Sequence, residues 1–109
     1  MRELIINTLN GTVGLPERWL PFVARELQDP DGFITVSDGR KNSYAQAFNL
    51  DGMLLLEYRD RSPRRHFQVT GVGVADVAHA LEQWSAGERA FIARHDWTRV
   101  TDWDDQASG

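Results

Sequence analysis

The chain has 109 residues, 41% hydrophobic and 26% charged, with a net charge of −4 and no cysteine. These values fit one globular domain and exclude wholesale disorder, a disulfide scaffold and thiolate metal sites. The acidic balance argues against general nucleic-acid affinity, and neither a membrane-length apolar run nor a signal-peptide pattern is present, so a cytoplasmic protein is expected.

In chain order, Leu4–Leu9 reads as a short strand closed by the turn pair Asn10-Gly11. Within Leu15–Leu27, the residues Leu20, Val23, Ala24 and Leu27 recur at helical spacing, but Pro21 has no N–H to donate inside a helix. The helix is therefore expected to start near Pro21 and end at Gln28, with an irregular turn over Pro16–Leu20. Asp29-Pro30-Asp31-Gly32 then stops it.

Four strands follow: Phe33–Ser37, Ser43–Asn49, Met53–Arg59 and Arg65–Thr70. Gly, Asp and Pro punctuate the turns between them. Leu50-Asp51-Gly52 predicts a three-residue hairpin loop, which sets Tyr44, Phe48, Leu54, Leu56 and Tyr58 on one face. Ala45, Ala47, Met53, Leu55, Glu57 and Arg59 then take the other face. A two-residue Asp51-Gly52 loop would mix these sets and leave Glu57 beside Tyr44, so the longer loop is preferred.

Val74–Ser85 is the clearest helix, with Val74, Val77, Ala78, Leu81 and Trp84 on one stripe and Gly87 just past its end. Phe91-Ile92 and Trp97–Val100 read as a return segment ending in a short strand. The acidic stretch 101–109 is expected to fray. The fold expected is α+β: one domain over 1–100, an antiparallel meander of four to six strands, and two helices packed on one face. Its core is expected to hold Tyr44, Phe48, Leu54, Leu56, Tyr58, Phe67, Val69, Val77, Leu81 and Trp84.

Six of the twelve basic residues (Arg40, Lys41, Arg59, Arg61, Arg64 and Arg65) fall within one short window. Alternate connections of a meander share one end of the sheet, so the 38–42 and 60–64 loops should converge. That brings Arg40, Lys41, Arg61, Arg64 and Arg65, with His66, into a patch suited to an acidic partner or a phosphate. Local neutralisation by Asp38, Glu57 and Asp60 is the plainer alternative. Trp19 and Trp103 are the tryptophans expected at the surface, where such residues often anchor partners, with docking of Trp103 back on its own domain as the alternative. Trp84 and Trp97 are expected to pack inside.

Other constellations fail on spacing. Asp29-x-Asp31-Gly32 lacks the further oxygen ligands of a calcium loop. His66, His79 and His95 have no spacing that aims two imidazoles together. Ser62 and His66 near Asp60 lack a nucleophile elbow and an oxyanion nest. Gly71-Val72-Gly73 lacks the third glycine of a phosphate-binding turn. No catalytic residue, metal site or cofactor is expected.

Tyr44-Ala45-Gln46, Leu54–Asp60, Arg65-His66-Phe67, the Val77/Leu81/Trp84 helix, Gly87-Glu88-Arg89 and Trp97 together have a familiar cadence. The chain resembles the Imm-type immunity proteins of actinobacterial polymorphic toxin systems, with Ala90 where those families carry a proline. It resembles more loosely the YbjN-like, type III secretion chaperone-like domains. Both resemblances imply an α+β protein-binding module without catalysis. The expected function is an immunity-like protein that occludes a cognate toxin. A chaperone-like or regulatory homodimer is the alternative, and a small ligand-binding protein or enzyme the third.

Overall fold

The computed structural model describes residues 4–40 and 42–100. The expectation for the 101–109 tail, Trp103 included, lies outside these residues, as does Lys41. The architecture is α+β, one antiparallel sheet with two helices on one face. The elements are β1 (Ile5–Thr8), β2 (Gly11–Val13), α1 (Trp19–Glu26), β3 (Phe33–Ser37), β4 (Ser43–Leu50), β5 (Met53–Asp60), β6 (His66–Thr70), α2 (Val74–Ser85) and β7 (Thr98–Arg99). Among the described residues the sheet has seven strands in the order β2-β1-β3-β4-β5-β6-β7, more than the four to six expected. The extra strands are short edges: β2 folds back on β1 through the Asn10-Gly11 turn, and β7 adds two residues to β6.

Local chemistry explains the boundaries. Helix α1 starts at Trp19, two residues before Pro21, because the first intrahelical bond is Phe22 N to Arg18 O. Pro21 therefore sits among the positions whose N–H would have no helical partner anyway. The helix stops at Glu26, and the chain turns at Gly32, where a Cβ would collide with the Glu26 carbonyl oxygen. At α2 the Asp76 carboxylate accepts from Gly73 N at 2.9 Å, satisfying one of the orphan donors of the helix start. A 3₁₀ turn over Pro63–Arg65 delays β6 to His66.

The β4–β5 hairpin corrects the expected register. Its loop has two residues, Asp51 at φ 54° and Gly52 at φ 98°, and pairs Leu50 with Met53 and Phe48 with Leu55. Two consecutive left-handed residues are what a tight hairpin matched to strand twist requires. Asn49 fixes this end from inside: Gly52 N donates to its Oδ1 at 2.6 Å, and its Nδ2 donates to Leu27 O at 2.8 Å. Tyr44 and Phe48 therefore lie opposite the helices, outside the core that was expected to hold them.

The helix-covered face presents Ile6, Ile34, Val36, Ala45, Ala47 and Leu56, all buried. Val23 of α1 and Val77 and Leu81 of α2 are fully buried against it. Leu54, Phe67 and Val69 pack at its margin. Tyr58 stacks on Phe67 at 5.2 Å and meets the edges of Trp97 at 4.8 Å and Phe91 at 5.6 Å. Trp97 Nε1 donates to Ile92 O at 2.8 Å, so the return segment seals this side. Burial raises the Tyr58 phenol pKa above its usual value, and the nearby Asp60 carboxylate pushes it the same way.

Candidate functional site

The opposite face carries no helix among the described residues. Its centre is a polar relay running across four strands. Thr35 Oγ1 on β3 donates to Gln46 Oε1 on β4 at 3.4 Å, and Gln46 Nε2 donates to Glu57 Oε1 on β5 at 3.0 Å. His66 Nε2 on β6 lies 2.8 Å from Glu57 Oε2, and Arg59 Nε donates to His66 Nδ1 at 3.0 Å. A guanidinium can only donate, so Nδ1 is the acceptor and Nε2–H donates to the carboxylate. That assigns His66 the neutral Nε2–H tautomer, between a cation and an anion.

The relay is deeply set: His66 is 2% exposed and Arg59 7%. Arg59 Nη1 also donates to Asn42 Oδ1 at 2.8 Å, and its guanidinium lies over the Tyr44 ring at 5.4 Å. Tyr44 meets His66 edge-on, with its hydroxyl 3.5 Å from Nδ1. Burial is the main cause that raises the Tyr44 pKa; Glu57 adds to the rise and Arg59 opposes it. A polar chain of this kind fixes the register of the strands that it crosses.

Toward the Asp51-Gly52 hairpin the open face turns apolar. Phe33 and Phe48 face each other at 6.3 Å, Leu55 pairs with Phe48, and Leu50 and Met53 are 48% and 46% exposed. A groove of about 590 Å³ borders this patch, lined by Pro30, Gly32, Phe48 and Leu50 and rimmed by Asp31 and Asp51.

The two ends of the sheet differ in charge. The β3–β4 and β5–β6 loops do converge, joined by Arg61 N to Asn42 O at 2.6 Å. Exposed Arg40, Arg61, Arg64 and Arg65 gather there, and Arg99 of β7 donates to Arg64 O at 3.1 Å. Part of this charge is neutralised locally, because Arg65 pairs with Asp60 at 3.0 Å and Arg40 lies 4.0 Å from Asp38. Arg61 has no ion pair among the described residues. The other end exposes Asp29, Asp31, Asp51 and Asp96.

Two expected site residues are placed otherwise. Trp19 is 8% exposed and packs edge-on against Phe22 at 5.9 Å, because α1 begins at Trp19 and turns its ring inward. His66 is drawn into the relay instead of the loop patch. Ser62 Oγ accepts from Arg64 N at 3.1 Å, a turn-capping role. No group of three or more potential metal ligands exists among the described residues. None of their helices is long and apolar enough to cross a membrane.

Sequence reasoning missed Tyr44, Gln46, Glu57 and Arg59 as a unit. The available signal was the Asp51-Gly52 dipeptide, whose tight-turn register puts all four on one face. Comparison with protein-family models, curated proteins and solved structures returned no significant match.

Proposed function

We propose that the chain is a non-catalytic protein-binding module that receives an acidic protein partner at the arginine end of its sheet. The observation that carries this reading is the gathering of Arg40, Arg61, Arg64 and Arg65 on two converging loops of an otherwise acidic protein. A cationic patch at the tip of a rigid sheet steers an anionic partner and orients it on contact. The non-catalytic part of the reading is supported by the relay, whose histidine spends both ring nitrogens on Arg59 and Glu57. The finer proposal is a cytoplasmic immunity-like protein whose partner is a cognate toxin with an acidic contact surface.

The test combines capture from the native host with charge reversal. Replacing Arg61, Arg64 and Arg65 with Glu is expected to lower the partner's association rate about tenfold or more at low salt. The thermal midpoint should change little, because these side chains are exposed. Unchanged affinity and unchanged salt dependence would overturn the proposal.

A further inference from the structure

Going beyond the acidic-partner reading, we propose that the open face also pairs with the same face of a second copy of this chain. The two faces stack about a two-fold axis perpendicular to the strands, and each Arg61 loop sits in the other copy's Asp31–Asp51 groove. The first argument is charge. One end of the face exposes arginines and the other exposes Asp29, Asp31, Asp51 and Asp96, so a copy turned end for end meets opposite charge at both ends. Arg61, Asp31 and Asp51 form no ion pairs among the described residues, which leaves all three available.

The second argument is register. Along β4, Gln46 stands five positions from Asp51 and four from Asn42, whose carbonyl holds the Arg61 backbone at 2.6 Å. An axis above Gln46 therefore lays the Asp51 turn of one copy over the Arg61 loop of the other, within about one residue's rise of 3.3 Å. The groove there, about 590 Å³, offers carboxylates at its rim and the Phe48 ring in its wall. Both suit a guanidinium. The same stacking sets the apolar half of one copy over the Tyr44 ring and the laterally bonded relay of the other.

The third argument is size. β3 to β6 lie about 4.8 Å apart and have five, eight, eight and five residues, giving a plan area of roughly 400 Å² per face. A stacked pair covers roughly 800 Å², below the roughly 1,000 Å² of a stable specific interface, so a weak dimer is expected. The contact is isologous and closes on itself, giving a dimer and no fibre. It covers the arginine end, so the second copy and the acidic partner compete for that surface.

Sedimentation velocity across a concentration series tests this pairing. The expected result is a monomer–dimer equilibrium that weakens as salt rises. Two variants should each dimerise about tenfold or more weakly alone. One carries Asp31→Arg with Asp51→Asn, and the other carries Arg61→Asp with Arg64→Asp. Asn and Asp tolerate the left-handed turns at 51 and 61, so both variants should fold, with circular dichroism as the control. An equimolar mixture should restore the dimer, because each acidic loop then meets a basic groove. A chain that stays monomeric to about 1 mM overturns the proposal, as does a dimer indifferent to these charges and to Phe48→Glu. A monomer that still loses its acidic partner on arginine reversal sinks the pairing alone. A dimer that binds no acidic protein sinks the earlier reading alone.

Discussion

The two faces of the sheet obey one alternation and reach opposite ends. The helix-covered face puts small side chains at the centre of β4, Ala45 and Ala47, and lets α2 approach over them. The open face of the same strand carries Tyr44, Gln46 and Phe48, larger groups that find partners sideways within the sheet. One face is stabilised by exclusion of water, the other by lateral hydrogen bonds and ring contacts. A strand's largest residues therefore do not by themselves mark its buried side. The side is set by what must fit beneath a helix and by how the hairpin closes.

Truncation should separate the faces most strongly. Leu81→Ala or Leu56→Ala removes a fully buried side chain from the covered face and should cost about 2–5 kcal/mol. Phe48→Ala on the open face should cost no more than about 1 kcal/mol. Urea midpoints with unchanged slopes provide the measurement. Equal losses at Phe48 and Leu56 would mean that both faces are covered.

Next in size is the relay. Glu57→Leu leaves His66 Nε2–H and the Gln46 amide without their acceptor, at a cost of about 1–3 kcal/mol. Thr12→Ala, whose hydroxyl bonds Asn7 at an exposed edge, should lie within about 0.5 kcal/mol of the parent and serves as the control. A relay loss no larger than the control would remove the relay as the open face's stabiliser.

The turn that assigns the faces gives a smaller effect. Gly52 has φ 98° with open space around it, so Gly52→Ala meets no clash but adopts a disfavoured backbone, costing about 1–2 kcal/mol. Gly52→Asn should recover part of the loss, since Asn enters left-handed conformations more readily. Equal stability of the Ala and Gly forms would argue for a different loop.

The tyrosines give the finest distinction. The chain has two, Tyr44 on the open face and Tyr58 on the covered face, and burial raises both above the ordinary 10.0. Their stabilising contribution is complete below pH 10, where the unfolded phenols are still protonated, and is lost as pH rises through the higher folded values. Absorbance at 295 nm should therefore show little phenolate in native protein at pH 10. Half-ionisation at that pH would contradict the burial of both rings.

Much of the fold was legible in the sequence because its signals are local. Strand alternation, the Val77–Leu81–Trp84 stripe and the turn residues placed the central strands and α2, and the meander brought the two arginine loops together. What was hidden depended on longer range. Edge strands of two and three residues carry no periodicity of their own and form only because β1 and β6 template them. Pro21 obscured the helix start, since its tolerance there depends on where the first hydrogen bond falls. Trp19 looked exposed for the same reason. The largest error lay in one loop residue: lengthening the hairpin loop by one exchanged the two faces of β4 relative to β5 and dissolved the relay into unrelated polar side chains.

Thiol labelling tests the two-faced sheet most directly, because the chain contains no cysteine to interfere. Phe48→Cys and Ala47→Cys place single thiols on adjacent residues of β4, one on each face. In dilute protein, the thiol at position 48 should be labelled readily and the thiol at 47 should stay protected until the chain unfolds. Protection at 48 with labelling at 47, or equal rates at both, would contradict the register on which the relay, the open face and its proposed partners all rest.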